Sequence, residues 1–590
     1  MVFPLEKWFC FFAVMVVTCS DVMASSIIYV DTQLASCFNY DPLTRSCGSG
    51  TNTVYKTVSE AAALATAGTT VLIRGGTYPE QLAPGNSGTA GNYVTFKNYS
   101  NEWVYLTGSP AIALSGRSYV IVDGFRVQNT TWLEARNAHY NILRNCVFTH
   151  SPAVGTSGNV RFVQSNYNLI IGNDIEDGQD NLLLIDSNYN VVENNIIKEA
   201  RHSIFGIRCG DFNLVRSNYF SNTLQKIGEI YDCGQDTSAV PHSFNSTHHN
   251  VIEQNVFAEA SSYYSTSGGN GIQYASQDGI IRRNIFHDCN VGLGVGAYAD
   301  EGLFNMNNRI YHNVFYGNRG GGIAFRPGIV GNIFKNNTLT SNDGCVPDCF
   351  GTSPGQIIYR SPLEGAVFEA NALFYLLPGQ PVIEEEFGSG STILQFLSAH
   401  PGVLVNTIEM DPQFVAASSY DFHLQNTSPL IDAGAFLTQA VANGSGTNLT
   451  VLDAFYFYDG FGIEGEVGDV IQFEGQTETA QVIQVNYTNN ILVLSQPLTW
   501  NAGQRLALKF NGLAPDVGVF EFDGPLLTWT RNSDTIIFTW PAVNIGFRLK
   551  SSPSLSNPVW SDQGEPAVIG DQWVKTNSVG NVASFFKLVK

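Results

Sequence analysis

The chain has 590 residues, 44% hydrophobic and only 14% charged, with 30 Lys and Arg against 51 Asp and Glu, for a net charge of −21. That length holds several domains or one long solenoid, and the apolar share is ample for a packed core. The negative balance argues against nucleic acid as a partner, and against a polyanionic substrate unless a local basic patch or a bound cation intervenes.

Residues 1–24 read as a secretory signal peptide, with an apolar run from Trp8 to Thr18 and a small-residue cleavage site at Val22-Met23-Ala24. A lipoprotein site at Cys19 is the competing reading, and Thr18 before it is a poor match. Export implies an extracellular, periplasmic or cell-surface location and favours disulfides. Cys10 and Cys19 leave with the leader. Of the eight cysteines that remain, Cys37 with Cys47 and Cys345 with Cys349 are placed to close local loops. Zinc at CVPDC lacks a second ligand pair. No later stretch is long and apolar enough to span a membrane.

IIYVDTQLA (27–35) opens as a strand. SEAAALAT has helical composition with Ser59 as a possible N-cap, and VLIRGGTY reads as strand and turn. A recurring phrase follows: NILRNCVF, NLIIGNDI, NVVENNII, NLVRSNYF, NVIEQNVF, GIIRRNIF, RIYHNVFY and IFKNNTL. Its anchor asparagines are Asn145, Asn173, Asn195, Asn218, Asn255, Asn284, Asn313 and Asn337, spaced 22 to 37 residues apart. A loose period that tolerates insertions is a solenoid signal. The apolar residues alternate or pair over a few positions, which is strand spacing, and Val, Ile and Phe dominate. One repeat cannot bury its own apolar face, so the coils must stack. Three short strands per turn give a right-handed parallel β-helix, with coils expected from about 92 to 375. An asparagine at a bend can hydrogen-bond up and down the axis as a ladder and tolerates a left-handed backbone.

Residues 445–512 read as an inserted small antiparallel β unit with a turn at TNN, and 525–590 alternate like a β-sandwich. The order strand, helix, then VLIRGGTYPE (71–80) resembles the start of secreted bacterial pectate-lyase-like β-helix proteins. DFHLQNTSPLIDAG (421–434) and APDVGVFEF (514–522) resemble the end of that β-helix. The resemblance spans most of 27–522. It implies a signal peptide (1–24), an all-β solenoid (25–440) with an N-terminal capping helix, the insert (445–512), a closing segment (513–524) and the C-terminal module (525–590). It specifies the fold and leaves the reaction open, because this fold hosts lyases, hydrolases, epimerases, esterases and adhesive tails.

Strands LLLID (182–186), IFGIRCGD (204–211), GIQYAS (271–276), GLGVGAY (292–298) and GIAFR (322–326) should line one sheet. In the resembling enzymes the sugar chain lies along its outside. Three side-chain sets stand out there. Glu176, Asp177 and Asp180 in EDGQD suit Ca²⁺, a hard cation bound by oxygens. Their spacing is similar to the calcium-binding turn of some β-helical pectate lyases. Those lyases add an acid one coil earlier, where this chain has Ser151 and Pro152. A solvated acidic turn is the other reading. The second set is Arg201, His202 and Arg208. With Phe205 and Ile207 inward, Arg208 faces out, placed to bind a uronate carboxylate or to pair with Asp211. The third is the long loop 223–249, with Lys226, Glu229, Tyr231, Asp232, His242, His248 and His249.

β-Elimination of a uronate needs a neutralised carboxylate, a base for the C5 proton and an acid for the leaving oxygen. Lys226, Arg208, His202 and Tyr231 are the candidate catalytic residues, and Arg201 and Arg326 the candidate substrate-binding residues. The Lys-then-Arg spacing of alginate- and chondroitin-type lyases is absent, since Thr247 stands one coil after Lys226. The paired-Asp, His-Gly and Arg-x-Lys set of polygalacturonases is absent too, leaving Asp278, Asp300 and Glu301 as hydrolase candidates. His150, His287 and His312 follow the repeat and read as turn residues. The expected function is that of an exported, monomeric polysaccharide lyase acting on uronate-containing chains. The alternatives are a non-catalytic glycan-binding solenoid and a glycoside hydrolase on the same face.

Overall fold

The computed structural model describes residues 26–152, 160–231, 247–260, 269–296, 305–325, 329–342, 355–359, 365–375, 378–379, 381–385, 389–524, 527–542, 547–554, 559–570, 572–578 and 584–589. The signal segment, Asp232, His242, Asp300, Glu301, Arg326, Cys345 and Cys349 lie outside these residues.

Short apolar strands stack in parallel, coil on coil, into a 17-stranded and a 22-stranded sheet among the described residues. The register is regular. Leu169 faces Val191, Val191 faces Leu214, Leu214 faces Val251 and Val251 faces Ile280. Inside, Phe220, Phe257, Phe286 and Phe315 stack with ring centroids 5.1, 4.8 and 4.7 Å apart. These distances match the spacing of hydrogen-bonded strands, so each ring repeats once per coil. Parallel pairing also reaches beyond residues 92–375. Ile27–Val30 pairs with Thr70–Ile73, and Phe368 pairs with Leu404. The terminal coils carry no asparagine phrase, which is why the repeat did not reveal them.

Two asparagine ladders run up the solenoid. In one, each backbone N–H and side-chain amide donates to the next Oδ1 from Asn173 through Asn195, Asn218, Asn255, Asn284, Asn313 and Asn337 to Asn371, at 2.8–3.0 Å. The first anchor differs from expectation. Cys146, not Asn145, holds the ladder position and donates its N–H to Asn173, while Asn145 turns its amide to Asp123. Nor do the ladder asparagines adopt the left-handed backbone. The residue before each does, as at Asn145, Asn194, Ser217, Gln254, Arg283, His312 and Asn336. The bend is made one residue early, leaving the asparagine extended enough to aim its amide along the axis. The second ladder joins Asn141, Asn168, Asn190, Asn213 and Asn250, the first residues of the same phrases. It breaks at Gly279, where the Tyr274 hydroxyl donates to Asn308 and would lie 2.0 Å from any Cβ.

Helix α1 (Val58–Leu64) buries Val58, Ala61 and Ala62 against the first coils. Its N-cap is Thr57 rather than Ser59, in a capping box with Glu60, and Ser59 in the first turn donates its hydroxyl to Glu80. A second helix that the sequence reading missed, Ile393–Ala399, sinks Phe396 into the main core. No described helix is long and apolar enough to cross a membrane.

Six antiparallel strands between Thr438 and Leu508 form a unit on the outer face of the 17-stranded sheet, with a turn after Asn486 that includes Asn490. It covers Val191, Leu214, Val251, Ile280 and Tyr311, which the solenoid would otherwise expose. Charge pairs lock it there. Arg282 meets Glu253 at 2.6 Å and Asp469 at 2.7 Å, Arg216 meets Glu466 at 2.6 Å, and Arg309 meets Asp453 at 2.8 Å. Val517 and Val519 of the following segment return to the solenoid beside Leu430 and Val314. The last module has a four-stranded and a three-stranded sheet around Phe538, Trp540 and Leu549. Cys37 and Cys47 are disulfide-bonded, whereas Cys146 and Cys289 are buried thiols.

Asn255→Ala leaves the buried Asn218 N–H without its acceptor, a loss of about 1–3 kcal/mol. The denaturation midpoint should fall while the fold is kept. A second outcome concerns pH. Burial lifts the Asp516 carboxyl to about 6, and burial together with the Asp516 charge lifts Glu521 to about 7. Carboxyls raised on folding stabilise when protonated, so their contribution is full at low pH and lost as pH rises from about 4 to about 7. Melting temperatures across that window should decline, and Glu521→Gln should flatten the decline.

Candidate functional site

Four strands of the 22-stranded sheet build the site: β1 (Asp174–Ile185), β2 (Ile196–Arg208), β3 (Lys226–Tyr231) and β4 (Asn270–Tyr274). Period-2 alternation sends Leu182, Leu184, Phe205, Ile207 and Ile230 into the core. Gly206, Glu229 and Gln273 then fall in one outward row, and Arg208 lies opposite Tyr231. Lys226 to Tyr231 is thus a strand rather than part of a loop. The polar Lys and Glu interrupt its apolar pattern, which hid it in the sequence.

The β1–β2 register is broken at one place. Gly178 faces Ala200 but Asp180 faces Ser203, so β2 carries one extra residue. Arg201 and His202 occupy this bulge, and bulges re-aim side chains. Arg201 turns to the Ser151 carbonyl at 2.6 Å. His202 turns the other way, its Nδ1 2.6 Å from Asp180 Oδ1 and its Nε2 3.9 Å from Glu229 Oε1.

Glu229 is the hub. It takes an ion pair from Lys226, and Arg208 Nη2 lies 3.4 Å from its Oε2. The Tyr231 hydroxyl is 3.2 Å from its Oε1 and 2.6 Å from Gln273 Oε1. Ser203 joins the halves, its hydroxyl 2.9 Å from Asp180 and 3.4 Å from Glu229. Burial pushes the Asp180 carboxyl up, but His202, Ser203 and Arg208 outweigh it and hold it below the usual carboxylate range. Asp180 is therefore ionised, and His202 Nδ1 donates to it. The Asp180 and Glu229 side chains are 2% and 3% exposed, Lys226 and Arg208 11% and 12%, and His202 37%. The lyase reading expects an exposed Lys/Arg pair. Both are nearly buried instead, because Glu229 draws them inward, and the group that meets solvent is the histidine.

The four candidate catalytic residues thus converge, with Arg201 at the margin. The acidic turn does not act as one set. Glu176 lies 3.6 Å from Lys198, and Asp177 lies 3.7 Å from both His150 and Arg201. Asp180 points away from them into the histidine pair. Among the described residues no group of three or more His, Cys, Asp and Glu is arranged to hold a metal ion. Arg208 pairs with Glu229 rather than Asp211, whose carboxylate lies 3.3 Å from His248. His249 is outside the cluster, stacked on Phe212 at 5.0 Å, and burial lowers its pKa to about 4. Ser203 and Gln273 escaped sequence reading, and Glu229 had no role assigned. The outward row of β2, β3 and β4 was the available signal, once β3 is seen as a strand.

A family model for the right handed beta helix region matches residues 85–242. With the parallel coils described above, this match makes the fold a right-handed parallel β-helix. An uncharacterized protein, YwoF, of Bacillus subtilis (strain 168) is 37% identical over 84 residues, 13% of this chain and 18% of that protein's length. Among solved structures, pectate lyase Pel9A is similar at 13% identity and a TM-score of 0.33, over 85% of this chain and 97% of that one. The PL6 family alginate lyase AlyGC is similar at 15% identity and 0.32, over 56% and 52%. The Dettilon tailspike protein (gp208) is similar at 11% identity and 0.36, over 90% and 86%. These structural likenesses concern the fold alone.

Removing Lys226 takes one of two cations from the buried Glu229 carboxylate, leaving Arg208 at 3.4 Å. Lys226→Met should destabilise the protein by about 3 kcal/mol, and adding Glu229→Gln should restore much of that, because the penalty belongs to the under-compensated carboxylate. Denaturant titration of the two variants measures both.

Proposed function

We propose that the protein is an exported carbohydrate-active enzyme, a lyase that cleaves uronate-containing polysaccharide on the outer face of the solenoid. The observation that carries this is the His202–Asp180 pair, seated in a bulge beside the Lys226–Glu229–Arg208 cluster. Asp180 fixes the tautomer and orientation of the ring. Nε2 is 3.9 Å from Glu229, beyond hydrogen-bond distance, and the side chain is 37% exposed.

In the reaction, His202 Nε2 takes the C5 proton of the uronate. The electron pair left at C5 forms the C4–C5 double bond, the C4–O bond breaks, and the departing oxygen takes a proton from water. Arg208, which shares Glu229 with His202, stands on the side of the reacting unit's carboxylate, while Arg201, 40% exposed and turned away in the bulge, meets a flanking sugar unit. Lys226 and Tyr231 are positioning residues here, since both hold Glu229. Leader, secretion and a monomeric state complete the reading.

A glycoside hydrolase is the second reading, favoured by two carboxylates, Asp180 and Glu229, that share the Ser203 hydroxyl. Hydrolysis by such a pair needs one member to be a proton donor. The lowered pKa of Asp180 and the near-complete burial of both weigh against it.

Purified mature protein incubated with pectate, alginate and glycosaminoglycans should release the unsaturated uronate, read by its ultraviolet absorbance. His202→Ala should lower the rate by about 10²–10⁴-fold, the usual worth of a general base. Loss of signal on chelation would move the site to Glu176 and Asp177. Reducing ends without absorbance would establish the hydrolase, and no product from any uronate would sink the lyase.

A further inference from the structure

In the coils just before β1, an exposed tryptophan stands beside an arginine. Trp103 is 62% exposed, immediately before strand Val104–Leu106, and the Arg126 guanidinium lies 4.5 Å from its ring centroid. An indole so exposed gains nothing from burial in the fold. Among the described residues Arg126 makes no ion pair, and its guanidinium packs on the ring.

Register brings more charge to the same bend. Lys97, Asp123 and Arg144 stand opposite one another on three successive coils. Asp123 is buried and holds both cations, Lys97 at 3.5 Å and Arg144 at 3.0 Å, and also accepts from Asn145. Glu102, which also lines the cleft, is taken up by Arg74 at 2.8 Å, and Asp174 lies within electrostatic reach of Arg126 two coils on. Asp123 and Glu102 are thus each matched to cations of their own, which leaves Arg126 as the cleft's cation without an ion pair among the described residues. Lys97, Asp123, Arg126, Trp103 and Asn145 line a cleft of about 290 Å³. That volume is at the lower edge of small-ligand sites and suits a single ring with its substituents.

We propose that this cleft is a second saccharide-binding site, taking an acidic sugar unit of a polysaccharide. The ring stacks on Trp103 and its carboxylate lies against Arg126 and Lys97. Aromatic faces bind apolar ring surfaces, and a guanidinium recognises a carboxylate bidentately. The site binds without cleaving and stands independently of the lyase assignment.

Isothermal titration with tetragalacturonate, tetramannuronate and neutral cellotetraose tests it, in the His202→Ala background so that no probe is consumed. At least one acidic tetrasaccharide should bind. Its affinity should fall about tenfold in Trp103→Ala and in Arg126→Gln, a change of about 1.4 kcal/mol. It should also weaken as salt rises. Lys97→Gln, an exposed change, serves as a third variant, and matching circular dichroism and melting temperature certify the folds. Binding unaltered in all three variants, no acidic probe bound by the parent, or cellotetraose bound as tightly as the uronides would each overturn the proposal. Absence of ultraviolet product from the parent protein, with this binding retained, would refute the lyase and leave the cleft standing.

Discussion

The asparagine ladder is the interaction on which this molecule depends. Each rung satisfies two donors at once, a backbone N–H and a side-chain amide, on one buried oxygen of the next coil. A buried polar group left unmet is costly, so a coil that slipped by one residue would orphan a donor in every rung and turn its apolar side chains outward. The ladder therefore fixes register. With register fixed, the phenylalanine column and the outer column of Tyr119, Tyr140, Tyr167, Tyr189 and Phe212 stack at close to the coil spacing. Chemistry inherits that register, because Glu229, Gln273 and Arg208 reach the same face only if neighbouring coils stay in step.

Against that regularity the site is a local exception. One extra residue in β2 releases Arg201 and His202 from alternation, and the two side chains diverge. The buried charges around them are mutually dependent. Glu229 is tolerable in the sheet because Lys226, Arg208 and Tyr231 surround it, and Asp180 because His202 and Ser203 do. Such clusters stabilise little compared with an apolar core.

The inserted unit follows the same logic on the opposite side. The 17-stranded sheet has outward apolar residues at Val191, Leu214, Val251 and Ile280, one per coil, and the antiparallel strands cover them. Buried Arg282 and Arg309 and half-buried Arg216 sit at that junction, each matched to an acid of the insert. The unit therefore completes the solenoid's surface rather than hanging from it.

The sequence by itself determined what repeats. Eight echoes of one phrase announce coils, strands and ladders, because a pattern averaged over many copies survives local irregularity. It also singled out His202, Arg208, Lys226 and Tyr231, since cations and ring groups are conspicuous in an Asn- and Gly-rich face. Tertiary structure alone decided what depends on a single register shift. The bulge between Gly178 and Asp180 turned an expected metal ligand into the partner of a histidine, and β3, whose polar residues broke the apolar pattern, brought Glu229 to the centre. Contacts between coils join residues more than twenty positions apart. Which side chains meet there depends on the exact length of every turn between them, and composition and periodicity do not carry that quantity.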